Sequence, residues 1–98
     1  MRMILIDCCR EHTMIHRIDV TKGVYERPLY AKGYMDEVIM QVIELMLKDR
    51  PNKIVIDKAY IGHMFEDVLH KALWERSEYY NYPVKIRIDD CGNITYGE

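Results

Sequence analysis

Two stretches of this chain carry one pattern: Ile4-Leu5-Ile6-Asp7 and Ile54-Val55-Ile56-Asp57 are short apolar runs, each closed by an aspartate. Runs of this length suit buried strands and are too short for a helix. Between them Met35, Val38, Ile39, Val42, Ile43, Met46 and Leu47 recur at helical spacing, with Asp36, Glu37, Gln41, Glu44 and Lys48 on the opposite side. Asp36 and Glu37 favour the positive start of the helix dipole, Lys48 and Arg50 its end, and Pro51 stops it. A strand, a crossover helix and a second strand place the two runs side by side and parallel, at the centre of one sheet.

The remaining segments extend that sheet. Arg10-Glu11-His12 reads as a turn. Over 14–20 the pattern MIHRIDV puts Met14, His16, Ile18 and Val20 on one face and Ile15, Arg17 and Asp19 on the other, a half-buried strand. Thr21-Lys22-Gly23 turns the chain into a third strand over 24–30, which Pro28 confines to a sheet edge. After Ile61-Gly62 a second helix buries Met64, Phe65, Val68, Leu69, Ala72 and Leu73, and its wet side carries Glu66, His70, Lys71, Glu75 and Arg76. Asn81-Tyr82-Pro83 breaks it. Val84, Ile86 and Ile88 then alternate with Lys85 and Arg87 in a last main strand. Asp90-Cys91-Gly92-Asn93 is a turn, and Ile94-Thr95-Tyr96 folds back as a short partner. The expected fold class is α/β: a three-strand antiparallel meander, helix, strand, helix, strand, with the helices packed on a mixed sheet.

Composition narrows the classes. Ninety-eight residues, 49% hydrophobic and 31% charged, suit one globular domain over 1–98 rather than disorder or a fibre. A net charge of −2 gives no basic field that advertises nucleic acid or membrane. No apolar run approaches the ~20 residues that span a bilayer, and Asp7 falls too early for a signal peptide, so a cytoplasmic address is expected. The three cysteines, Cys8, Cys9 and Cys91, form no CxxC pair and read as reduced thiols.

Chemistry is expected at the strand ends. Parallel neighbours end at one edge of the sheet, where open α/β folds hold their ligands. Asp7 and Asp57, on strands about 4.8 Å apart, come within reach of one divalent cation. Oxygen donors favour magnesium over zinc. Such a centre assists phosphodiester cleavage. Aspartate also closes strands simply by starting a turn, and that reading stays open.

The order of elements resembles the ribonuclease H-like fold, and within it the nuclease domain of phage terminase large subunits. The likeness rests on Met3-Ile4-Leu5-Ile6-Asp7, on Lys53-Ile54-Val55-Ile56-Asp57, and on the segment from Asp57 through Gly62 to Asp67-Val68-Leu69. That last segment is similar to the family's acid, short loop, glycine and helix with an acid-apolar-Leu motif. The resemblance implies that Asp7 and Asp57 match the first two metal-binding and catalytic acids of a magnesium-dependent nuclease, a hydrolase acting on nucleic acid. Two departures stand out. Cys8-Cys9-Arg10 replaces the small residues that usually follow the first acid, and the family's further acid on a C-terminal helix has no counterpart. Asp89 or Asp90 is the substitute on offer as a metal ligand.

Lys58, Lys85 and Arg87, near the fourth and fifth strands, are the candidate contacts to a nucleic-acid backbone, although acids are interleaved with them. His63, Asp67 and His70 share one side of the second helix without a metalloprotease pattern. Trp74, Tyr79, Tyr80 and Tyr82 suit base stacking, a partner surface or packing on the domain itself. Two classes of function follow: a metal-dependent nuclease, or a non-catalytic module that binds a protein or self-associates through the edge strand bearing Lys85 and Arg87. A small-molecule binder with its pocket at the strand ends is a third class.

Overall fold

The computed structural model describes residues 1–9, 12–59 and 61–97. β1 (Arg2–Cys8) and β2 (Thr13–Asp19) form an antiparallel pair in register from Arg2–Asp19 to Cys8–Thr13. The Cys9 N–H donates to the His12 carbonyl at 2.9 Å and closes their connection; Arg10 and Glu11 of the expected turn lie outside the described residues. The third strand is interrupted. β3 (Val24–Tyr25) and β4 (Leu29–Ala31) both pair antiparallel with β2, and Pro28, which has no N–H for a ladder, falls in the break between them.

α1 (Met35–Asp49) matches the expected helix. It stops where Arg50 turns left-handed at φ 49° and donates its N–H to the Met46 carbonyl, just ahead of Pro51. β5 (Lys53–Ile56) then lies parallel to β1, in register from Met3–Lys53 to Ile6–Ile56. The result is a mixed five-stranded sheet in the order β3-β2-β1-β5, with β4 also on β2. α2 (Gly62–Trp74) follows and runs on as one π-helical turn over Glu75–Tyr79.

The last main strand departs from the expected single sheet. Among the described residues β6 (Lys85–Ile88) pairs only with β7 (Ile94–Gly97), as a separate antiparallel hairpin. The hairpin's own turn occupies the outer edge of β5. Ile54 N–H donates to the Gly92 carbonyl and Ile94 N–H to the Asn52 carbonyl, both at 2.8 Å. The short partner strand pairs with β6 as the sequence leads one to expect, and the turn between the two carries the hairpin onto the edge of β5.

One core joins Val38, Ile39, Val42, Ile43 and Met46 of α1 and Phe65, Leu69 and Leu73 of α2 to Ile4, Ile6, Ile15, Ile54 and Ile56 of the sheet. Both helices thus cover the same face. Each such aliphatic side chain contributes roughly 1.5–3 kcal/mol by leaving water. Met64, expected in the buried stripe, is 57% exposed, because the stripe follows Gly62, Phe65, Leu69 and Leu73 and Met64 falls off its edge. On the opposite face of the sheet Met3, Leu5, Met14 and Ile18 are half-buried by their neighbours and pack on no core residue. Among the described residues no helix is long and apolar enough to cross a membrane.

Candidate functional site

The parallel ladder continues one residue past β5. The Asp57 N–H donates to the Ile6 carbonyl at 2.9 Å, which sets Asp57 level with Asp7 at the shared C-terminal rim of β1 and β5. Asp7 is half-buried between strands, and Asp57 is exposed. Asp57 Oδ1 accepts the Ala59 N–H at 2.9 Å, so the carboxylate also shapes the loop that follows, as strand-closing aspartates do.

Gly62 fixes that loop against α2. A Cβ there would lie 1.8 Å from the Asp57 carbonyl oxygen. Only glycine permits the helix to start this close to the strand end, a steric requirement that one glycine in a sequence does not disclose. The same rim governs Cys8. Burial pushes its thiol pKa up, the hydrogen bond with Thr13 opposes this, and the charges of Asp7, Cys9 and Asp57 raise it further. Cys8 belongs to the buried side of β1, so its sulfur faces the core rather than the two carboxylates' side of the sheet. The donors on offer at the rim are oxygens, the set that fits a hard cation such as Mg²⁺.

The other candidate residues stand apart or are already engaged. Asp89 ties the β6–β7 turn: its Oδ1 accepts the N–H groups of Cys91 and Asn93 at 2.9 Å each, and its Oδ2 accepts Asn93 Nδ2 at 3.1 Å. These bonds, with the Asn93 N–H foremost, hold its carboxyl below the usual range. Asp89 and Asp90 line a cleft of about 290 Å³ between β5, α2 and the hairpin, together with Lys58, Glu66 and His70. Lys58 is ion-paired with Glu66, and Arg87 reaches Glu78 at 3.3 Å, so two of the three basic candidates are neutralised locally. Lys85 is half-buried at the start of β6. His63, Asp67 and His70 are exposed on α2. Among the described residues no group of three or more His, Cys, Asp or Glu side chains is placed to hold a metal ion.

The aromatic residues gather at the far end of α2. Tyr79 meets Tyr80 edge-on with centroids 5.0 Å apart, Tyr80 lies 6.3 Å from Tyr82, and the Arg76 guanidinium sits 4.2 Å above the Tyr82 ring. All three tyrosines and Trp74 remain exposed. Comparison with family models, with curated proteins and with solved structures finds no match for this chain.

Proposed function

We propose that this is a ribonuclease H-like domain that acts on nucleic-acid phosphodiesters with a magnesium ion held by Asp7 and Asp57. The observation that carries the reading is the register: β1 and β5 are parallel, and the ladder bond from the Asp57 N–H to the Ile6 carbonyl sets the residues Asp7 and Asp57 level at one rim. The antiparallel meander, the helix and the parallel strand follow the order of that fold as far as β5; the hairpin of β6 and β7 departs from it.

Two protein carboxylates suffice for a particular kind of site. Mg²⁺ keeps several waters and is commonly bound by one or two carboxylates plus substrate phosphate oxygens, rather than by an all-protein cage. In such a site the ion neutralises charge developing on the phosphodiester. The chain's own residues hold and orient it: Asp7 from within the sheet, and Asp57 fixed by the Ala59 N–H. A site completed by substrate binds metal weakly alone and more tightly with nucleic acid present, because the phosphate supplies the missing donors.

The experiment follows that coupling. Melting curves are recorded with millimolar Mg²⁺ or Mn²⁺, with and without single-stranded, duplex and hybrid oligonucleotides, and cleavage is read on the same mixtures. Stabilisation by metal that grows with oligonucleotide and vanishes in Asp57→Asn is expected. Identical curves in all mixtures, with no substrate cut, overturn the reading. A non-catalytic binding domain is the second reading, favoured by the exposed aromatic end of α2, where Tyr79 is 74% and Trp74 60% accessible.

A further inference from the structure

α2 and its π-helical extension turn one stripe of surface toward the hairpin. His70, Leu73, Trp74 and Ser77 recur at i, i+3, i+4 and i+7 and so share a face. β6 opposes them with Ile86, Arg87 and Ile88, and an open groove of about 540 Å³ lies between helix and strand. Its floor is buried Leu73, Ser77 and Ile86, while Lys71 and Trp74 from the helix and Arg87 from the strand stand exposed at its margins. Every ionisable side chain that lines it is basic: His70, Lys71 and Arg87. The acids beside them lie outside the lining. Glu75, 3.9 Å from Lys71, belongs to the other flank of α2, and Glu78 takes one Arg87 nitrogen at 3.3 Å. Both pairs join exposed side chains and hold weakly. Trp74 also differs from the tyrosines beyond it. Tyr79, Tyr80 and Tyr82 meet one another or Arg76, whereas among the described residues no ring, cation or hydrogen bond engages the exposed indole.

We infer that this groove binds a single-stranded polynucleotide, with one base stacked on the Trp74 indole and the adjoining phosphates on Lys71 and Arg87. The inference rests on the reading of the chain as acting on nucleic acid; it adds a strand-binding contact apart from the metal rim and a preference for unpaired substrate. Every base presents a π-face, so an unengaged indole accepts any of them without reading sequence. A base within a duplex is already stacked on its neighbours and closed to the indole. Ammonium and guanidinium on opposite walls then meet the backbone in charge-assisted contacts. An acidic protein segment would satisfy the two cations and leave the indole unused, whereas a base joined to its phosphates uses all three. The neighbouring cleft repels such a strand through Glu66, Asp89 and Asp90, which keeps groove and rim as separate contacts. α2 separates them by its 13 residues, about 18 Å from Gly62 to Trp74, a distance that a short single strand spans.

The contacts set the strength. One base stacked on an aromatic side chain is worth roughly five- to 150-fold in affinity. Two phosphate contacts to a single strand give a slope of about −1.4 in log K against log salt, about −0.7 for each. The net charge of −2 offers no long-range attraction beyond these two, so binding is weak and strongest at low salt.

Trp74 is the one tryptophan of the chain, so its fluorescence reports on the groove directly. Oligothymidine and oligouridine of about ten nucleotides, and a duplex of the same length, are titrated in EDTA at low salt. Quenching by either single strand supports the inference, and the tighter of the two identifies the preferred sugar; the duplex is expected to bind at least several-fold more weakly. Variants are read by anisotropy of a labelled strand, with circular dichroism to confirm the fold. Trp74→Ala is expected to lose at least about five-fold in affinity and Trp74→Phe less. Lys71→Gln and Arg87→Gln are each expected to flatten the salt slope by about 0.7, and Glu78→Gln, which releases Arg87, to tighten binding. Indole emission that no strand alters overturns the inference. So does binding that Trp74→Ala leaves unchanged, that Glu78→Gln fails to tighten, or that the duplex matches. EDTA takes metal out of the measurement, and Asp57→Asn is expected to bind the strand as the wild type does. Strand binding without cleavage in magnesium would leave this groove standing and the nuclease reading overturned, and cleavage without quenching would do the reverse.

Discussion

Substituting Gly62 by alanine sets two effects of opposite sign against each other. Helix propensity alone favours alanine by up to ~1 kcal/mol, less at a first helical position such as this one. The structure argues the other way. The new Cβ would sit 1.8 Å from the Asp57 carbonyl oxygen, where real Cβ contacts are not found below 3.0 Å, so strand end and helix start must separate by at least 1.2 Å (3.0 − 1.8). The obstructing atom is backbone, which no rotamer change can move aside. Overpacking of this kind costs about 3 kcal/mol, the upper part of its usual range. The net loss is about 2 kcal/mol, which for a domain of this size lowers Tm by roughly 8–16 °C. Urea unfolding and thermal melts read it, with an unchanged m-value showing that both states keep their compactness. Gly23→Ala is the control: no atom lies within 4 Å, so only the left-handed backbone, φ +67°, opposes it, at a cost of ~1 kcal/mol. A Gly62→Ala protein that melts at or above wild type would refute the close approach and, with it, the anchoring of Asp57.

Two further outcomes concern titration and reactivity. Burial raises the Tyr96 phenol to about 12, against a lowering by Arg50 and Arg2, and its hydroxyl donates to the Pro51 carbonyl at 2.8 Å. The folded pKa exceeds the unfolded value, so this contribution to stability is whole below pH ~10 and is lost as pH rises through about 12; absorbance at 295 nm should show one of the eight tyrosines ionising last, and Tyr96→Phe should remove that late phase. Of the three thiols, exposed Cys91 should react with an aromatic disulfide reagent first and half-buried Cys9 next. Buried Cys8, with its pKa raised by burial, should react only at the rate of opening; fast labelling of Cys8 in the native protein would contradict its placement.

Much of the fold is written in local pattern. α1 could be delimited from its apolar spacing, its acidic first turn and Pro51 because helices are specified by near neighbours, and β1 and β5 could be found as short apolar runs. The convergence of Asp7 and Asp57 was legible for a related reason: a strand, a crossover helix and a parallel strand leave little freedom of hand or order. Lys58 and Arg87 were visible as cations, but their capture by Glu66 and Glu78 depends on which helix face meets which loop.

By itself, then, the sequence determined the periodic elements, the parallel pair and the rim that closes it. Tertiary structure alone decided which side of β2 is buried. Alternation offers Met14, His16, Ile18 or Ile15, Arg17 as the inner set, and the helices settle on the side of Ile15. It also decided that β6 leaves the main sheet, because the backbone around Gly92 bonds along the outer edge of β5 in its place. The physical reason is common to both. Period and propensity act between residues close in the chain, whereas the choice of face and of edge is a competition among distant segments for the same surface.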